Sequence, residues 1–177
     1  MRRHLIKLLF LAAIALLSAC STNPVNIENR IIIKNFIRGP ICGDKWADFY
    51  VCEDTEEIQI TGKGICTYNK QPLPCTWYGF SFDYILPAGN VKLECVWKSS
   101  TKSDVGNPRE VKARGVDGGT YEFELNKAEG HYIQPNYTAI AFGQSPYGQE
   151  RDSRVTVTCS HRGMKVFEYA MNRHFPS

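Results

Sequence analysis

Val91-Lys92-Leu93-Glu94-Cys95-Val96-Trp97 is the stretch that decides the fold class. Val91, Leu93, Cys95 and Trp97 share one parity, while Lys92 and Glu94 take the other. Side chains of an extended chain point alternately to opposite faces, so this pattern predicts a strand with one buried and one wet face. A helix would scatter the same residues around its axis.

The same logic extends outward in both directions. Pro87-Ala88-Gly89-Asn90 supplies the turn before this strand. After Asp117-Gly118-Gly119, the segment Thr120 to Leu125 sets Tyr121, Phe123 and Leu125 against Glu122 and Glu124. Arg154 to Cys159 alternates Val155, Val157 and Cys159 with Thr156 and Thr158, and Met164 to Ala170 reads as the last strand. Ser160-His161-Arg162-Gly163 joins these two as a hairpin. Tyr137 to Phe142, Arg30 to Phe36 with its Ile31-Ile32-Ile33 run, aromatic Trp46 to Cys52, and Glu57 to Thr61 read as further strands. Gly62, Gly64, Pro72 and Pro74 read as turn-formers. No helical period persists beyond about two turns. Strands separated by turns every ~8–12 residues predict an all-β, disulfide-braced antiparallel sandwich, immunoglobulin- or transthyretin-like.

The N-terminus is different. Arg2, Arg3 and Lys7 precede an apolar run from Leu8 to Leu17, then Ser18, Ala19 and Cys20. A basic start, a short apolar core and small residues form the signature of a removable secretory leader. The run is shorter than the ~20 residues that span a bilayer. Leu17-Ser18-Ala19-Cys20 resembles the lipobox of bacterial lipoproteins at all four positions. The resemblance covers the first 20 residues. It implies cleavage before Cys20, a diacylglyceryl group on its thiol and acylation of the new amine by chains such as palmitate. Two or three chains make attachment effectively permanent, whereas one holds only marginally. Ser21, in place of an aspartate, implies the outer membrane, with the domain facing the periplasm and surface exposure left open. The expected organisation is a signal peptide at 1–19, a lipidated cysteine with flexible tether at 20–29, and one β-sandwich domain at 30–177.

Leu86-Pro87-Ala88-Gly89 and Ala128-Glu129-Gly130-His131-Tyr132-Ile133 resemble turns of small β-sandwich lipoproteins of the bacterial envelope, which implies fold class alone. Immunoglobulin domains are a looser comparison. Cys95, Trp97 and Cys159 supply the residue types, but the tryptophan follows the first cysteine by two positions, unlike that pattern.

All 18 acidic residues lie in 20–177, with 18 of the 21 basic ones. That part is therefore formally neutral and has no basic stripe of the kind nucleic acid requires. Cys42, Cys52, Cys66, Cys75, Cys95 and Cys159 remain beside Cys20. An even set in an exported chain implies disulfides, and six cysteines allow 15 pairings. The preferred set is Cys42–Cys52, Cys66–Cys75 and Cys95–Cys159. Chain entropy makes the longest loop the most stabilising. No Cys-x-x-Cys pair is present, which disfavours zinc and thioredoxin-like chemistry.

The residues offer little catalytic machinery. His131, His161 and His174 read as polar surface groups, and no Gly-x-Ser-x-Gly elbow occurs. Glu53-Asp54 and Glu56-Glu57 read as a solvated acidic turn, with calcium as the rival reading. No catalytic residue, metal or cofactor is expected. Aromatic residues are the notable surplus. Trp46, Phe49 and Tyr50 form one group and Trp77, Tyr78, Phe80, Phe82 and Tyr84 another, the second read as aromatic on both strand faces. Trp77, Tyr78 and the loop residue Tyr147 are the candidate binding residues. The expected function is a non-enzymatic, membrane-anchored structural or interaction module contacting an envelope protein, a plan shared by lipoprotein subunits of secretion machines and lipoprotein inhibitors of lysozyme. A ligand or carbohydrate binder built around Trp77 is the alternative, and an enzyme is the third reading.

Overall fold

A computed structural model of the chain describes residues 30–68, 71–87, 89–107, 110–140 and 152–175. Cys20 and Tyr147 lie outside the described residues. The fold is an all-β sandwich of two five-stranded sheets. The first holds β1 (Ile32–Cys42), β2 (Tyr50–Val51), β4 (Gly64–Tyr68), β5 (Gln71–Ile85) and β8 (Glu129–Ala139). The second runs in the order β3 (Glu57–Gln59), β10 (Met164–His174), β9 (Ser153–His161), β6 (Val91–Asn107) and β7 (Glu110–Leu125). Every pairing is antiparallel except β3 with β10.

Strand β5 organises the first sheet. Its residues from Cys75 to Ile85 pair with β8, and Cys75 also pairs with Gly64 of β4. One residue cannot pair twice on the same side, so β4 and β1 follow one another along the opposite side. Tyr78, Phe80, Phe82 and Tyr84 alternate inward and are all buried. They meet Leu93, Cys95, Val157, Cys159, Tyr169 and Met171 from the other sheet. Phe80, fully buried, contacts the rings of Phe36, Phe82, Phe123, Tyr132, Phe167 and Tyr169, the last at 4.9 Å between centroids. Burial of each such ring stabilises by roughly 1.5–3 kcal/mol. A bulge in β1, with Asn35 at φ 49°, inserts one residue between Lys34 and Ile37. Phe36 emerges from it against Phe80 and Phe82.

Several boundaries differ from the sequence expectations. Trp46–Asp48 is a single 3-10 turn, and only Tyr50–Val51 of that segment is strand. The proline-rich stretch read as turns is the β4–β5 hairpin, with Pro72 and Pro74 inside β5. Phe142 lies outside the described residues, and β8 occupies Glu129–Ala139 instead. The β9–β10 hairpin forms at Arg162-Gly163, both with positive φ as a two-residue hairpin turn requires.

The six cysteines form Cys42–Cys52, Cys66–Cys75 and Cys95–Cys159 disulfides. Cys95 and Cys159 are direct partners on β6 and β9. This bond therefore ties neighbours within one sheet, unlike the bond between sheets of antibody domains.

The two ends of the sandwich differ. At one, β1 starts opposite Ile85, the β5–β6 connection is short, and residues 126–128 and 162–163 make short turns. At the other lie the Cys42–Cys52 loop, the β4–β5 hairpin and the far ends of β6 and β7. Arg173 closes this second end, donating to Ser153 and Ser99 of its own sheet and to Thr138 of the facing sheet.

Candidate functional site

The two aromatic groups of the sequence meet on the outer face of the first sheet. Trp77 has the opposite parity to Tyr78, Phe80, Phe82 and Tyr84, so its indole leaves the core. It lies 5.2 Å from the ring of Phe49, 5.1 Å from Tyr137 and 6.2 Å from Trp46, the last at 81°. Trp46 also packs on Phe49 at 5.6 Å, and remains 67% exposed. These contacts follow from local sequence. Gly64 lies beside Trp77, where a Cβ would approach the indole to 3.1 Å. Trp46 and Phe49 lie inside the loop closed by Cys42–Cys52. Cys66–Cys75 is buried outside the main core, two residues from Trp77. Both local disulfides therefore brace the same ring platform.

The rings of this aromatic strand divide unequally between its two faces. Four of its rings face inward and Trp77 alone faces out. Tyr78 is 7% exposed, and its hydroxyl shares a hydrogen bond with Thr138 at 3.0 Å. It is a core residue, because it follows Trp77 directly and so takes the inward face. Trp46, Phe49 and Tyr137 complete the platform. Their separation in the sequence hid this, and the cysteines flanking Trp46 and Phe49 were the signal available.

The charged residues form ties between strands. Asp83 accepts from Asn35 at 2.7 Å and sits 2.9 Å from His131 Nδ1, across three adjacent strands. The Asn35 bond first, then His131, holds its carboxyl below the usual range. Glu53-Asp54-Thr55-Glu56-Glu57 is more than a solvated turn. Asp54 and Glu56 pair with Arg38, Glu56 also with Arg154, and Glu57 with Asn172 and His174. His174 is clamped between Asp152, at 3.0 Å from Nδ1, and Glu57 at Nε2. Asp152 first and Glu57 second raise the His174 pKa above its ordinary value. The hydrogen-bond partners of the three histidines are carboxylates and, for His161, the Lys92 carbonyl. Among the described residues, no set of three His, Cys, Asp or Glu side chains converges as metal ligands.

No protein-family model matches the chain, and no curated protein matches it. The chain is similar to the solved structure of an immunoglobulin-like protein from Pseudomonas aeruginosa, with 11% identity and a TM-score of 0.42. The match covers 84% of this chain and 99% of that one. The likeness concerns the fold alone.

Proposed function

We propose that this protein is an outer-membrane-anchored, periplasm-facing lipoprotein whose β-sandwich is a non-enzymatic interaction module of the cell envelope. The lipobox at Leu17 to Cys20 supports the anchoring. The observation that carries the interaction reading is the ring platform, with Trp46 held exposed by Phe49 and Trp77. An exposed tryptophan braced by other rings and two disulfides keeps its orientation without losing freedom on binding. Such rigid aromatic anchors commonly dominate protein contacts.

Two measurements test this reading. Replacement Cys20→Ser should move the chain from the membrane to the soluble periplasm and abolish palmitate incorporation. Retention of label would overturn the anchoring. Cross-linking in intact envelopes should yield an adduct with another envelope protein that Trp46→Ala removes. An adduct indifferent to that substitution would remove the platform from the function.

The ligand-binding alternative keeps its foothold because Trp77 is half-buried and part of the platform. It predicts that Trp77→Ala abolishes sugar binding while the circular dichroism spectrum is retained.

A further inference from the structure

The long hairpin of β6 and β7 carries a second surface. Pairing of β6 with β9 stops at Ser99 opposite Val155. Beyond that point β6 and β7 pair only with each other, as far as Asn107 opposite Glu110. The result is a two-stranded arm that continues beyond the part of its sheet paired with β9. It is irregular: register shifts fall between Lys98 and Ser103, Ser103 and Val105, and Val105 and Gly106. Gly115, at φ 61°, donates its N–H to Asp104 at 3.0 Å. Such irregularities bend a ribbon and oppose edge-to-edge aggregation.

The arm is also where the charge of the domain is concentrated. Residues 98–116 hold five basic and two acidic residues. The remainder of 20–177 holds 13 basic and 16 acidic residues, so a local excess of three positive charges faces an equal deficit elsewhere. Lys98, Lys102, Lys112 and Arg114 are exposed. Among the described residues none of these four forms an ion pair, whereas Lys92, Lys165, Arg38 and Arg154 all do. At the root of the arm, Trp97, Lys98, Asp117 and Gly119 help line an open hollow of ≈ 400 Å³. Gly119 permits it, since a Cβ there would come within 2.8 Å of the Trp97 indole nitrogen.

We propose that the β6–β7 arm binds an acidic polysaccharide, its cations engaging the carboxylates or phosphates of the polymer and the hollow at Trp97 receiving a sugar ring. The chemistry selects among anionic partners. A protein interface needs an apolar centre, and no aromatic residue occurs between Ser99 and Thr120. Single-stranded nucleic acid needs several stacking rings along its path. A charged glycan needs spaced cations, an aromatic edge and polar groups for its hydroxyls. Lys102, Lys112 and Arg114 supply the first, Trp97 the second, and Asp117 and Ser99 the third. The arm leaves the end of the sandwich opposite to Ile32, where the tether joins. Its own membrane is therefore the wrong side, and the cell-wall glycan is the acidic polymer within reach. This orientation rests on the proposed anchoring at Cys20, whereas the binding chemistry does not.

The test is co-sedimentation of the full chain, purified in detergent, with isolated peptidoglycan sacculi. Binding should occur at low salt and fall at least about ten-fold in ~0.5 M salt. The triple charge reversal Lys102→Glu, Lys112→Glu, Arg114→Glu should weaken it by about the same factor. These positions lie outside the core, and an unchanged thermal midpoint confirms that the variant is folded. A chain that stays in the supernatant, or sediments equally after charge reversal, overturns the proposal. So does recovery of an acidic protein on the arm in place of glycan. Cys20→Ser separates the two readings: if that variant loses the membrane and still sediments with sacculi, the arm and the anchor stand together. If it stays on the membrane and sediments, the anchor alone falls.

Discussion

The two ends of this sandwich are built on different principles. At the end where β1 begins, strands are joined by tight turns and the core runs close to the edge: Leu86, Val91 and Leu125 are all buried there. At the opposite end, order depends on cross-links: two local disulfides, the Arg173 hydroxyl contacts and the His174 clamp. Exposed aromatic and basic side chains gather at this second end and on the adjoining outer face. The difference separates a part that folds from a part that is available to touch something. Residues at a packed end can be exchanged only at a cost in stability. Those at a cross-linked end can be chosen for contact, because covalent and ionic ties hold the backbone.

Substitutions should divide along the same line. The largest effect belongs to the packed end: Leu125→Ala, at a site 1% exposed, should lower unfolding free energy by about 2–5 kcal/mol in a denaturant titration. A loss below about 1 kcal/mol would show that this end is loosely packed. At the other end, Cys42→Ala with Cys52→Ala should cost about 2–3 kcal/mol, the chain-entropy value for a short loop. The same pair should expose Trp46 further, read as a red shift in its fluorescence. An unchanged emission would mean that Phe49 and Trp77 hold the ring unaided.

A smaller effect concerns pH. The raised pKa of His174 gives stability that is complete below its ordinary value of 6.5 and lost as pH rises through the folded value. Asp152 and Glu57 are lowered from 3.8 and 4.5, so their contribution is complete above those values and lost as pH falls through the folded ones. The clamp therefore acts fully between about 4.5 and 6.5. The denaturation midpoint should decline from about pH 5.5 to about pH 8.5, and His174→Gln should flatten that decline. A slope identical in both chains would assign the pH dependence to other groups. The smallest effect is Trp46→Ala, which should change stability by less than about 1 kcal/mol, because the ring is largely exposed.

Much of the packed architecture was legible in the sequence. Val91 to Trp97 and Thr120 to Leu125 alternate strictly because each buries one face. The all-β class, the disulfide bracing and the last hairpin followed from such patterns and from the even set of cysteines. The arm was not legible. From Lys98 to Asp104 the residues of β6 are polar on both faces, so no alternation marks it as strand, and the reading stopped where the apolar pattern stops. Pro72 and Pro74 disguised β5 in the same way. The platform was half legible: aromatic abundance drew attention to Trp77, but its neighbours Trp46, Phe49 and Tyr137 are brought to it only by the pairing of β1, β5 and β8. Tyr78 was misread because burial within an aromatic run depends on parity relative to the core, which composition does not reveal.

In the proposed anchoring, the domain is tethered at its packed end and holds its cross-linked end away from the bilayer. All three tryptophans lie toward the cross-linked end: Trp46 after Cys42, Trp77 beside Cys75, and Trp97 close to Ser99. Quenching of their fluorescence by doxyl-labelled lipids, in the lipidated full chain reconstituted into vesicles, reports their approach to the membrane. The expected result is vesicle-bound protein whose emission is unquenched. Quenching of the tryptophans by the lipid labels, or a chain that does not associate with the vesicles, would contradict it.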